Sequence, residues 1–182
     1  MRVLISMLRG VNVGGHHRIK MADLCAIYAS LKLADARHYL QSGNVIFRCG
    51  AADASRLSGK IADAVERKAG FRCDVILRTT EELRATVKKN PFAKRGLDPA
   101  KLLVDFLVDE PKGEAQATLA GVKRDMEEMH LMGRELYIYF PDGAGKSKLQ
   151  WGAVEKKLGT TGTARNWNTI TELLAMAEEM ER

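Results

Sequence analysis

Residues 3–8, VLISML, are apolar at every position except Ser6. Alternate side chains of a strand point to opposite faces, so such a strand has to lie inside its sheet with both faces covered. It runs directly into residues 7–21, MLRGVNVGGHHRIKM, and then into Met21, Leu24, Cys25, Tyr28 and Leu31, which recur at helical spacing. The connection is therefore strand, glycine loop, helix. Gly10, Gly14 and Gly15 carry no Cβ, so the loop can adopt positive φ and approach a ligand closely. Arg18 and Lys20 arrive where the helix begins, and unpaired N–H groups there favour an anion. Ile19, Lys20 and Met21 offer no side-chain acceptor to cap those groups.

Further along, residues 37–41 and 44–48 read as strands joined by a tight turn at Ser42-Gly43. Asp53 or Ser55 can cap a second helix, with Leu57, Ile61 and Val65 on one face and Gly70 at its end. Residues 73–78 form another strand. Thr79 with Glu82 fits a capping box, and the helix it opens stops at Asn90-Pro91. After the linker 90–100, NPFAKRGLDPA, the pattern repeats. Strand 102–108, helix 114–122, a hairpin of 127–131 and 135–140, helix 147–158 and strand 162–165 follow, with a closing helix from Asn166 or Asn168. Two β-α-β-β-α-β units predict an α+β protein of two tandem ferredoxin-like subdomains plus connecting and C-terminal helices. The expected boundaries are 1–79, a connector at 80–100, and 101–182. Helices cover one face of each such sheet. The other half or a second subunit, as in a homodimer, would have to cover the other.

A chain of 182 residues with 46% hydrophobic content has ample material for a core. It contains no apolar run of 18 residues, which excludes a membrane-spanning helix, and no N-terminal signal-peptide pattern. A cytoplasmic protein is expected. Cys25, Cys49 and Cys73 form no CxxC pair and read as buried reduced thiols. The net charge of +6 is uneven: residues 1–79 hold 13 Lys or Arg against 6 Asp or Glu, and residues 80–182 hold 16 against 17. A basic first half attracts phosphates or acidic partners.

The segments LRGVNVGGHHRIKMADL, YLQSGNVIF, NPF, SKL and TARNWNT, in that order, resemble the bacterial family catalogued as domain of unknown function 1697. The matches run from the first strand to the final helix. The resemblance implies an α+β fold of two ferredoxin-like subdomains and supplies no activity.

The glycine loop matches neither G-x-G-x-x-G nor a Walker A sequence, since His16-His17 stands where Lys-Ser would follow. Asp142 to Ser147, DGAGKS, copies the end of a Walker A loop, but Phe140 occupies the place of its first glycine. A capping box of Ser147 and Gln150 explains that segment, and it is not expected to bind ATP. The four histidines include no HxxxH, Ser42 lies outside G-x-S-x-G, and no metal or cofactor is expected. Tyr137 and Tyr139 alternate on a strand where RNA-binding domains place stacking aromatics, yet the candidate positions on the matching first strand, Leu103, Asp105 and Leu107, hold no aromatic, and covering a sheet face is the better reading.

Two polar clusters remain at strand ends, Gln41 to Asn44 and 163–168; turn and cap chemistry leaves Gln41 and Arg165 unexplained. The candidate ligand-binding set is Arg9, Asn12, Gly14, Gly15, Arg18, Lys20, Gln41, Ser42, Asn44, Lys148, Arg165 and Asn166. An anionic, phosphate-bearing small molecule or nucleotide is the expected partner. The alternatives are an enzyme acting on such a ligand, with Arg9, Lys20, Lys148 or Arg165 stabilising developing charge, and weak nucleic-acid binding by the basic half.

Overall fold

The apolar run at 3–8 lies within strand β1, Arg2–Leu8, six of whose seven residues are buried. A computed structural model describes residues 1–50 and 56–182 in full and the backbone of 54 and 55. β1 pairs antiparallel with β3, Asn44–Cys49, on one side and β4, Val75–Thr79, on the other. β2, Ala34–Tyr39, adds to β3, so the order is β2-β3-β1-β4 with β1 inside the sheet. Helix α1, Met21–Ser30, connects β1 to β2, and α2, Ala54–Ala69, precedes β4. Asp53, one expected cap of α2, lies outside the described residues, as does the side chain of the other, Ser55.

Alternation along the strands sorts the two faces of this sheet. Leu4 and Leu8 of β1, Val45 and Phe47 of β3 and Leu77 of β4 share one core with Leu24 and Tyr28 of α1 and Ile61 and Val65 of α2. Ser6 falls on that face and is fully buried, so its hydroxyl must be satisfied inside the protein. It donates to the Val45 carbonyl at 3.1 Å and lies 2.6 Å from the Tyr28 hydroxyl. On the opposite face Val3, Ile5 and Met7 are as deeply buried. There Arg48 donates to the Met180 carbonyl, and Arg37 pairs with Glu179 at 4.0 Å. Residues 172–182 accordingly group with this sheet: one compact unit is Met1–Ala85 with Glu172–Arg182, and the other is Thr86–Thr171.

The second unit repeats the order. β5 is Leu102–Leu107, α4 Ala115–Leu119, β6 Glu128–Met132, β7 Glu135–Tyr139, α5 Trp151–Leu158 and β8 Gly162–Asn166. The strands are antiparallel in the order β6-β7-β5-β8. Leu107, Leu119, Leu136, Ile138, Val154 and Leu158 form its core. With α3, Thr80–Lys88, and α6, Trp167–Glu181, the described residues hold two four-stranded antiparallel sheets and six α-helices. No helix among the described residues is long and apolar enough to cross a membrane.

Local chemistry accounts for most element ends. Thr79 and Glu82 close the expected capping box, Thr79 N–H to Glu82 at 2.8 Å and Glu82 N–H to the Thr79 hydroxyl at 3.1 Å. Asn166 accepts from Asn168 N–H at 3.0 Å where α6 begins.

Three expectations need correction. The helix expected at 147–158 starts only at Trp151, and Gln150 caps it without a side-chain bond. Ser147 is extended after a 3-10 turn, and its hydroxyl bonds Leu149 N–H and Glu127, so no Ser147–Gln150 box forms. The helix expected at 114–122 is the shorter α4, because Ala120, Gly121 and Val122 bond to carbonyls three residues back and tighten the chain into turns. Cys25 is only partly buried, unlike Cys49 and Cys73.

Candidate functional site

Asn12 organises the glycine loop. Its side-chain oxygen accepts from Ile19 N–H at 2.9 Å, and its amide nitrogen donates to the Ile19 carbonyl at 3.0 Å and the Gln41 carbonyl at 2.7 Å. One side chain thus ties the two ends of the loop together and joins them to the β2–β3 turn. Asn12 itself takes φ 56°, a conformation that asparagine tolerates better than most residues. Gly10, Gly14 and Gly15 all have positive φ, as their lack of a Cβ allows. The His17 ring stacks on Phe71 with centroids 4.6 Å apart, anchoring the far side of the loop.

The turn is held as firmly. Gly43 has φ 75°, and a Cβ there would lie 2.9 Å from the Leu8 Cβ, so only glycine allows the turn to lie against the end of β1. Asn44 is fully buried and donates to the Tyr39 carbonyl at 3.1 Å and the Ser42 hydroxyl at 3.0 Å.

Between loop, turn and helices lies a cavity of about 570 Å³, lined by Asn12, Gly15, Arg18, Lys20, Asp23, Gln41 and Lys68 among others. That volume falls within the range of small-ligand sites. Three cations, Arg18, Lys20 and Lys68, and one carboxylate, Asp23, line it. Lys20 occupies the N-cap of α1 in extended conformation with no side-chain cap bond, so the first N–H groups of the helix are left to other acceptors.

The family model described as Protein of unknown function (DUF1697) matches residues 1–137. This chain belongs to that family. No curated protein matches it. The solved structure of conserved bacterial protein SP0830 from Streptococcus pneumoniae is similar, with a TM-score of 0.69 at 20% identity, covering 97% of this chain and 98% of that one. That likeness shows a shared fold.

The expected site residues of this DUF1697 member divide by unit. In the first, Asn12, Gly15, Arg18, Lys20 and Gln41 meet at the cavity. Arg9, Gly14, Ser42 and Asn44 are not among its lining residues; Arg9 instead pairs with Asp74 at 3.5 Å on the surface. Lys68, from the last turn of α2, and Asp23 line the cavity although sequence reasoning did not single them out. Lys68 was legible as a basic helix end, but only the packing of α2 beside α1 brings it to the loop.

Lys148, Arg165 and Asn166 lie in the second unit. Lys148 is exposed. Arg165 is buried, donating to the Thr163 hydroxyl at 2.7 Å and the Ala164 carbonyl at 3.0 Å. Burial pushes its pKa down to about 10, against the pull of the Asp105 carboxylate, so it remains a cation at neutral pH. Asn166 caps α6 and donates to the Ala100 carbonyl at 2.9 Å. At the Walker-like segment the space beside Gly143, Lys146 and Ser147 measures about 40 Å³, room for water rather than a triphosphate. Tyr137 is buried, its hydroxyl donating to the Thr86 carbonyl at 2.8 Å. The Tyr139 ring lies 5.9 Å from that of Phe92. Both tyrosines cover their sheet.

Proposed function

We propose that the chain binds an anionic, phosphate-bearing small molecule or nucleotide in the cavity beneath the glycine loop. The observation that carries this reading is the placement of Arg18, Lys20 and Lys68 around one cavity of about 570 Å³. A phosphate there gains charge-assisted hydrogen bonds of about 1.5–3 kcal/mol each, offset by ordering the long side chains. Asn12, Ser42, Gly43 and Asn44 act as scaffold: their hydrogen bonds and backbone geometry hold loop against turn. We also read each sheet with its two connecting helices as a ferredoxin-like subdomain, the first from β1 to β4 and the second from β5 to β8, with residues 172–182 of the C-terminal helix grouped with the first. The strand orders β2-β3-β1-β4 and β6-β7-β5-β8 support that assignment.

Calorimetric titration of inorganic pyrophosphate into the full chain tests the site. Binding should weaken about tenfold in Arg18→Ala and in Lys68→Ala, with little change in melting temperature, since both side chains are exposed. Absence of binding at millimolar pyrophosphate, or equal affinity in both variants and the native chain, removes the proposal.

A further inference from the structure

Asp23 stands out in a cavity otherwise furnished for an anion. It is exposed, sits in the first turn of α1, and lines the cavity with Arg18, Lys20 and Lys68. A carboxylate there repels a bare phosphate, yet it is well suited to accept hydrogen bonds from hydroxyl groups. A second cavity of about 330 Å³ shares Asp23 and Lys68 with the first and continues between α1 and α2. It is lined further by Ala26, Ile27 and Ser30 of α1 and by Ala64 and Arg67 of α2, Ile27 and Ala64 being buried. From Asp23 to Ser30, the far lining residue of α1, the helix rises about 10 Å. Arg18 and Lys20 thus line only the first cavity, Asp23 and Lys68 line both, and Ala26, Ile27, Ala64 and Arg67 line only the second.

We infer that the ligand is a nucleoside monophosphate whose ribose hydroxyls donate to Asp23 and whose base lies in the α1–α2 groove against Ile27 and Arg67. The inference rests on the anion site proposed above, because its phosphate is the one held by Arg18, Lys20 and Lys68. Each part of the groove matches one part of such a molecule. The guanidinium of Arg67 offers a flat face for stacking, and Ala26 and Ala64 admit a planar ring where larger side chains would close the gap. A polyanion without hydroxyls would meet the Asp23 carboxylate with nothing to donate to it.

Titrations of AMP, ribose 5-phosphate and inorganic pyrophosphate into the full-length chain, its Asp23→Asn variant and its Arg67→Ala variant test the assignment. Thermal melting checks that each variant is folded. The native chain should bind AMP at least tenfold tighter than ribose 5-phosphate. Arg67→Ala should abolish that margin while leaving ribose 5-phosphate unchanged. Asp23→Asn should weaken both ribose ligands about tenfold and tighten pyrophosphate. If Asp23→Asn tightens all three, the carboxylate only repels phosphate; the inference falls while the anion site stands. It falls in the same way if pyrophosphate binds and AMP binds no better than ribose 5-phosphate. If none of the three binds the native chain, the anion site fails first and this inference with it.

Discussion

At the scale of single residues, the loop and its supporting turn are held by side chains with little freedom to change. Gly43 combines φ 75° with a crowded position, because a Cβ added there would meet the Leu8 Cβ at 2.9 Å. Gly43→Ala should therefore destabilise the protein by about 2 kcal/mol or more, from left-handed strain plus overpacking. Urea denaturation measures this, and a cost below about 0.5 kcal/mol would mean that the turn simply moves away. Cys73 makes a different kind of test. Burial and the neighbouring Asp74 charge push its thiol up to about 11 from an ordinary 9.0, while Arg72 pulls it back. The folded state thus keeps this proton longer than the unfolded chain does. Its contribution is complete below pH 9 and is lost as pH rises towards 11, by about 1–2 kcal/mol after allowance for solvent screening. Urea midpoints at about pH 8 and pH 10.5, on either side of the ordinary thiol value, should differ more in the native chain than in Cys73→Ala. Equal differences would show that another group controls alkaline stability; Tyr28, whose phenol burial also pushes upward, is the first to examine.

At the scale of elements, two helix starts invite comparison. α3 opens on the reciprocal Thr79–Glu82 box, whereas α1 opens on Lys20 with no side-chain cap. Capping side chains are worth roughly 1 kcal/mol. Lys20→Ser should then raise stability by about that amount and weaken pyrophosphate binding several-fold, because the site loses a cation and the serine competes for the N–H groups. A stability gain with unchanged binding would remove Lys20 from the site. The same local chemistry explains what is legible in the sequence. β1 and α3 can be placed because an unbroken apolar run and a capping box are local signals. The start of α5 cannot: Ser147 and Gln150 have the right spacing for a box, but the serine hydroxyl is already engaged with Glu127, far earlier in the chain. The glycine loop is readable as a loop because its glycines and polar residues are contiguous. Lys68 and Arg67 are not readable as its neighbours, since they reach the two cavities only through the packing of α2 beside α1. The hydrogen bonds by which the Asn12 and Asn44 amides hold backbone carbonyls are not readable either, since their acceptors at Ile19, Gln41 and Tyr39 are brought near only by the folded loop and turn.

At the scale of the whole molecule, the uneven charge poses the remaining question. Residues 1–79 carry 13 Lys or Arg against 6 Asp or Glu, and the rest of the chain is close to balanced. Such a half could attract a nucleic-acid backbone through many weak contacts or serve one small site through a few. Salt separates the two. A duplex DNA binder loses affinity with a log–log slope of about −0.9 per phosphate contacted, so about six contacts cost about five powers of ten over a tenfold rise in salt. The groove offers Arg18, Lys20, Arg67 and Lys68, and on the proposed reading a monophosphate would engage only some of them. Screening at about 1 M salt shortens electrostatic reach to about 3 Å but leaves direct hydrogen bonds and base stacking in place. AMP affinity should therefore fall by less than about a hundredfold between about 0.1 and 1 M salt. Calorimetry across that range, with a duplex of about 20 base pairs as competitor, gives the answer. The small-site reading fails if the duplex displaces AMP at micromolar concentration and shows a slope steeper than about −5, because the cations would then serve as an extended phosphate track.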